Sequence, residues 1–161
     1  MKRGHIGSGW LLASILLAIL LALVPLPPPL DALRPYWLAL VVGYWVLETP
    51  ERAGLGFAFL CGLLSDLATG SILGEQALRM VILAFILDRF RTRLRFFPTW
   101  QQALVIGALL INDRIVSAVV HALVGARQAE ALVWVSPLTG ALMWGPVYLV
   151  LDALRHGRRR G

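Results

Sequence analysis

The chain has 161 residues, of which 58% are hydrophobic and only 15% are charged, whereas an ordinary soluble domain has about 25% charged residues. Its mean hydropathy is +0.75. A water-soluble fold of this size would expose more apolar surface than its polar residues could screen. The composition therefore excludes a soluble domain and predicts an integral membrane protein.

The net charge of +6 does not indicate a nucleic-acid-binding protein. The arginines lie mainly between apolar stretches and in the C-terminal tail, and no nucleic-acid-binding motif accompanies them. The single cysteine, Cys61, can form neither a disulfide framework nor a cysteine-based zinc site.

Six apolar stretches follow one another, and they are Trp10–Val24, Tyr36–Leu47, Ala53–Leu67, Ala77–Phe90, Trp100–Val124 and Ala131–Leu154. A helix of 15 residues is about 22 Å long, whereas the hydrocarbon core is about 30 Å thick. The second to fourth stretches must therefore recruit flanking residues or thin the bilayer. The second stretch is bracketed by Pro35 and Pro50 and could be re-entrant. Residues 25–29, Pro-Leu-Pro-Pro-Pro, favour an extended polyproline segment.

These features predict an all-α polytopic membrane protein with about six transmembrane helices in one bundle. There is no internal repeat and no linker long enough to divide the chain, so residues 1–161 are expected to form a single membrane domain.

The basic residues predict the orientation. With six spans and a cytoplasmic N-terminus, only Arg34 and Arg127 lie in outside loops. The inside segments then hold eleven basic residues, which are Lys2, Arg3, Arg52, Arg89, Arg91, Arg93, Arg95, Arg155, Arg158, Arg159 and Arg160. A five-span arrangement would place one of the two arginine-rich segments outside. The positive-inside rule therefore favours six spans with both termini in the cytoplasm.

Catalytic motifs are absent from the sequence. It contains no H-E-x-x-H, G-x-S-x-G or Walker glycine loop, and its three histidines are too far apart in sequence for a local metal site. We therefore predict no enzymatic activity, no cofactor and no metal. The remaining candidates are polar residues inside apolar stretches, because each is costly to insert and needs a partner.

Small residues in the third stretch recur in steps of four, at Gly54, Ala58, Gly62, Asp66 and Gly70. Such residues share one helix face, which another helix can approach closely. The Asp66 carboxylate is expected to point at protein, because an ionised group in lipid is several kcal/mol unfavourable. Structural hydrogen bonding, a partner contact and ligand binding are the alternatives, in that order.

A polar stripe is predicted on the fifth helix. Asp113, Ser117 and His121 follow at four-residue steps, with Arg114 beside them. Packing or a partner interface requires fewer assumptions than a proton relay or ligand site, which usually needs polar groups on several helices. On the fourth helix, Glu75 is expected to form a local salt bridge with the residue four positions later, Arg79.

The segment Arg89–Gln102 alternates arginine with large apolar residues, so it can lie along the inner leaflet near anionic lipids. Trp100 is expected to anchor the helix end at the membrane interface. Gln101 and Gln102 stand at the cytoplasmic mouth of the fifth helix. Their amides predict a hydrogen-bonded contact, either within the chain or with a partner.

Several motifs together resemble the rod shape-determining MreD family, along the whole chain and most closely its proteobacterial branch. They are Tyr44-Trp45, Pro50-Glu51-Arg52, Gly62-Leu63-Leu64-Ser65-Asp66, Gly70-Ser71-Ile72-Leu73-Gly74, Ala77-Leu78 and Phe97-Pro98-Thr99-Trp100-Gln101-Gln102. The resemblance implies a non-enzymatic subunit of the cell-elongation machinery in the bacterial inner membrane. It implies association with MreC and, directly or indirectly, with MreB, RodA and a class B penicillin-binding transpeptidase.

The resemblance also implies a fold similar to the substrate-binding S components of energy-coupling-factor (ECF) transporters, which supplies the alternative function. An S component needs a polar pocket open to the outer face, whereas the predicted outer loops here are short and carry few polar residues. The family offers no catalytic residues to carry over.

Overall fold

The computed structural model describes residues 5–127 and 131–157, with side chains described from residue 9 onward. Within these ranges the chain is helical and contains no strand, which confirms the all-α prediction. The helices are α1 (His5–Leu23), α2 (Pro28–Ala32), α3 (Trp37–Glu48), α4 (Leu55–Thr69), α5 (Glu75–Leu94), α6 (Thr99–Val124) and α7 (Ser136–His156), with a 3-10 turn (Ala131–Val135) before α7. The terminal basic residues of the orientation argument, Lys2, Arg3, Arg158, Arg159 and Arg160, lie outside the described ranges.

The proline segment after α1 is only partly extended, which corrects the sequence prediction. Pro27 has φ −59° and ψ 149°, as in polyproline, but the five-residue helix α2 begins at Pro28. Proline is favourable in a first helical turn because its missing N–H would have no intrahelical partner there. The segment therefore turns into a short helix.

Helix α3 forms the centre of the bundle. All ten residues from Leu38 to Leu47 are buried, and α1, α4, α5 and α7 pack around them. Its 12 residues give a length of about 18 Å, well below the hydrocarbon thickness. Because neighbouring helices enclose α3, its buried side chains meet protein instead of lipid tails.

The outward faces of the other long helices are apolar. Leu12, Leu60, Leu104 and Leu142 are among the exposed leucines of α1, α4, α6 and α7. The two segments Thr99–Val124 and Ala131–His156 are each long and apolar enough to cross a membrane. Only 22% of an apolar 18-residue stretch within each segment is buried inside the protein. This outward exposure differs from the core helix of a soluble protein.

The termini of the long helices lie at two opposite ends of the bundle. One cavity is bordered by the C-terminal parts of α1, α4 and α6 and by the N-terminal parts of α3 and α5. We call this the outer end and the opposite one the inner end, after the orientation that the basic residues predict. The turn that carries Arg52, the α5–α6 connection and the end of α7 lie at the inner end. The described basic residues of these inner segments outnumber the two in outer loops, Arg34 and Arg127.

We expect reporter fusions after Arg95 and after Arg160 to report the cytoplasm, and a fusion after Gly125 to report the periplasm. The physical reason is the concentration of arginine at the inner end. Paired cytoplasmic and periplasmic reporters measure each position independently. A periplasmic signal after Arg95 or Arg160 would contradict the six-span topology.

Candidate functional site

The α4–α5 hairpin depends on a close approach at Gly62. A Cβ atom at this position would lie 2.4 Å from the Ala77 Cα and 2.5 Å from the Gln76 carbonyl oxygen. Ala58 is also buried, whereas Gly54 is exposed at the start of α4 and has no atom within 4 Å of its Cβ position. Gly70 ends α4 with φ +66°, a conformation that favours glycine. The middle of the predicted stripe therefore packs against α5 of the same chain.

The Asp66 carboxylate caps α5 from the neighbouring helix. It accepts hydrogen bonds from the backbone N–H groups of Gly74 (2.8 Å), Gln76 (3.0 Å) and Ala77 (3.4 Å), and from the Ser71 hydroxyl (2.8 Å). These N–H groups lie in the first turn of α5, which has no side-chain cap of its own. A carboxylate there satisfies unpaired donors and interacts favourably with the helix dipole.

The Gln76 side chain joins three helices. Its Oε1 accepts hydrogen bonds from the hydroxyls of Tyr36 before α3 and Ser65 in α4, both at 2.8 Å. Its Nε2 donates to the hydroxyls of Thr69 (3.0 Å) and Ser71 (3.3 Å). Gln76 was not among the predicted site residues, although an amide beside the predicted Glu75–Arg79 pair is a detectable signal.

A buried ion pair joins α5 to α6. The Arg79 guanidinium donates to both carboxylate oxygens of Asp113, with the Nε–Oδ1 distance at 2.8 Å. The predicted contact between Arg79 and Glu75 is present at 3.5 Å, and the Ser117 hydroxyl donates to the same Glu75 oxygen at 2.6 Å. Arg79 also lies over the Tyr36 ring, 4.7 Å from its centroid. The polar stripe of α6 therefore meets a matching set of charges on α5.

The other two residues of the α6 stripe have different partners. Arg114 donates from Nη2 to the Ser136 hydroxyl at 3.1 Å, and Ser136 donates in turn to the Arg34 carbonyl oxygen at 2.8 Å. The His121 Nδ1 lies 2.8 Å from the Ser117 carbonyl oxygen and 3.6 Å from the Glu75 carboxylate. The outer end thus contains a continuous polar region that involves α3 to α7.

The three candidates at the inner end of α6 differ in their surroundings. Gln102 is buried; its Nε2 donates to the carbonyl oxygens of Leu94 (3.0 Å) and Phe97 (3.3 Å), and its Oε1 accepts from the Trp144 indole at 3.3 Å. The Trp100 side chain is 64% exposed. Gln101 is half-buried. Gln102 therefore supports the α5–α6 connection, while Trp100 and Gln101 remain accessible.

Across residues 5–127 and 131–157, no group of three or more histidine, cysteine, aspartate or glutamate side chains is placed to hold a metal ion.

We expect Asp66→Asn to lower the unfolding temperature of the purified protein, and Asp66→Leu to lower it further. In the asparagine variant an NH2 group replaces one carboxylate oxygen, and it cannot accept the hydrogen bond that this oxygen receives from a backbone N–H. The free energy of unfolding should therefore fall by about 1–2 kcal/mol, and leucine should lower it further because it removes every acceptor. Asp88→Asn is the matched control because its carboxylate is exposed. An unchanged unfolding temperature in Asp66→Leu would contradict the capping role.

A double-mutant cycle tests the buried ion pair. Asp113→Leu leaves Arg79 with only its longer contact to Glu75, and Arg79→Met removes the guanidinium from two buried carboxylates, so each change should destabilise the bundle by about 3–5 kcal/mol. The double variant should lose less than the sum of the two single losses, because the Arg79–Asp113 interaction is already absent from each single variant. Additive losses in the thermal unfolding of the four proteins would show that the two side chains do not interact.

Comparison with known proteins identifies the family. The family model of the rod shape-determining protein MreD matches residues 4–154. A rod shape-determining protein MreD of Haemophilus influenzae is 30% identical over 145 residues, which cover 90% of each chain. No solved structure matches this chain, and the comparisons do not support the alternative function as a transporter S component. Since the family match covers nearly the whole sequence, the chain belongs to the MreD family of membrane proteins that determine rod shape.

Proposed function

We propose that this protein is a non-enzymatic subunit of the cell-elongation complex in the bacterial inner membrane. It organises peptidoglycan synthesis by holding the transmembrane helix of an MreC-like partner, and it associates with MreB, RodA and a class B penicillin-binding transpeptidase directly or through that partner. The observation that carries this proposal is the family match over residues 4–154.

The internal contacts restrict where a partner helix can bind. Gly62 packs on α5, Asp66 caps α5, and Asp113 pairs with Arg79. These groups are therefore occupied within the chain, and their proposed role is to hold the bundle rigid. A partner helix needs close packing and a few hydrogen bonds with groups that remain accessible, because helices in lipid gain little from hydrophobicity.

Accessible groups of this kind lie at the inner end of α6. Trp100 is largely exposed, and Gln101 carries an amide with no side-chain hydrogen bond among the described residues. An apolar groove of about 220 Å³ between α5 and α6, lined in part by Phe90, Phe97 and Val105, lies toward the same end of the bundle. We propose that the partner helix packs in this groove and contacts Trp100 and Gln101. Large aromatic residues commonly provide much of the binding energy in protein interfaces.

The test is complementation of a rod-shaped bacterium that lacks its own MreD-family gene. The wild-type chain should restore rod shape and co-purify with the MreC-like protein. Trp100→Ala combined with Gln101→Ala should reduce capture by about tenfold or more, because truncation of a central aromatic contact costs about 2 kcal/mol. Cell shape by microscopy and the captured fraction are measured in the same strains.

Trp134→Ala is the matched control, because Trp134 is an exposed tryptophan at the outer end. It should preserve rod shape and capture. Round cells despite normal membrane levels of the wild-type chain would contradict the proposed function. Full capture of the MreC-like protein by the chain with both Trp100→Ala and Gln101→Ala would overturn only the proposed contact surface.

A further inference from the structure

The outer end contains a cavity of about 780 Å³ that the proposed function does not use. This volume lies within the range of small-molecule sites, about 300–1,000 Å³. Its walls come from the α1–α3 connection, the α4–α5 turn, α5, α6 and the 3-10 turn. The charged and titratable residues that line it include Asp31, Arg34, Glu75, Arg79, Arg114 and His121.

Arg114 has donors to offer at the deep part of this cavity. It lies ten residues before the end of α6 at Val124, which corresponds to a depth of about 15 Å below that end. Within the described residues, its guanidinium makes one hydrogen bond, to Ser136, and no carboxylate lies within 4.0 Å of it. None of its unpaired nitrogens is fully buried, and its side chain lines the cavity. A guanidinium at this depth is strongly stabilised by an anionic partner.

Acceptors face the same cavity from Glu75 and His121. The contacts that Glu75 receives from Ser117, Arg79 and His121 all involve Oε1, so Oε2 has no side-chain partner within the described residues. The His121 Nδ1 is bonded to the Ser117 carbonyl oxygen, so the unprotonated Nε2 of the neutral ring is an available acceptor. Both side chains line the cavity and can receive hydrogen bonds from a cationic donor.

The charges around the deep wall balance. Arg79 and Arg114 are offset by Glu75 and Asp113, and near the mouth Arg34 is paired with Asp31 at 3.0 Å. A simple anion attracted by Arg114 would also be repelled by the carboxylates nearby, whereas a molecule that carries both charges can satisfy both walls.

We propose that this cavity binds a zwitterionic group, with its phosphate or carboxylate on Arg114 and its ammonium on Glu75 and His121. A free amino-phosphate or amino acid has this chemistry, and so does the headgroup of phosphatidylethanolamine. The proposal concerns binding to the bundle and does not depend on the partner surface at the inner end.

The first experiment measures thermal unfolding of the purified full-length chain with O-phosphoethanolamine, ethanolamine or inorganic phosphate. Selective binding to the folded state raises the unfolding temperature in a saturable way. We expect a rise of about 2–4 °C with O-phosphoethanolamine, and a much smaller rise with phosphate or ethanolamine alone. Equal rises with phosphate alone, or no rise with any probe, would overturn the proposal.

Arg114→Gln should abolish the rise, and Arg114→Lys should retain part of it by keeping the charge. Arg127→Gln is the matched control because Arg127 is an exposed outer-loop arginine that does not line the cavity. If Arg114→Gln is poorly folded, the second measurement uses Glu75→Gln. A direct binding assay then measures how much isotope-labelled O-phosphoethanolamine this variant binds, with the unlabelled form as competitor. Undiminished binding by either folded variant would overturn the assignment.

Reconstitution in nanodiscs of defined lipid composition distinguishes a lipid headgroup from a free solute as the source of the zwitterionic group. If the headgroup of a lipid occupies the cavity, phosphatidylethanolamine discs should abolish the effect of the soluble probe while phosphatidylglycerol discs preserve it. If a free solute is the ligand, the soluble probe should bind equally in both discs. Either pattern supports the zwitterion site, and absence of probe binding in both discs would overturn it.

Discussion

The ion pair between Arg79 on α5 and Asp113 on α6 connects two helices where an isolated charge would be strongly unfavourable. Each charge requires the other, so the register of the two helices is restricted to the one in which the guanidinium meets the carboxylate. Glu75, Ser117 and Tyr36 extend this contact at the outer end.

The position of α5 depends on α4 as well. Gly62 lets the α5 backbone approach closely, and Asp66 supplies the cap that the first turn of α5 lacks. A larger residue in place of Gly62 would push the helices apart, and an apolar residue in place of Asp66 would leave N–H groups of α5 without an acceptor. The two contacts together place Arg79 opposite Asp113.

The two ends of the bundle have different chemistry. The outer end carries the polar network and the cavity, whereas the inner end is held by aromatic packing of Tyr44 against Tyr148, with ring centroids 5.3 Å apart, and by the Arg155–Glu48 pair at 2.6 Å. This separation allows a partner contact at the inner end and a ligand contact at the outer end to be tested independently. The residues of these inner-end contacts take no part in the polar network at the outer end.

Composition and periodicity along the chain were enough to predict the membrane class, the helical content and the number of apolar segments. It also identified Asp66, Asp113 and Gln102 as polar groups that need partners. Their partners became known from the packed helices, and they are the α5 N-terminus, Arg79 and Trp144. Likewise, no local pattern shows that the short α3 is enclosed by other helices, or that Gln76 joins three of them. These contacts join residues far apart in sequence, so they exist only once the helices pack.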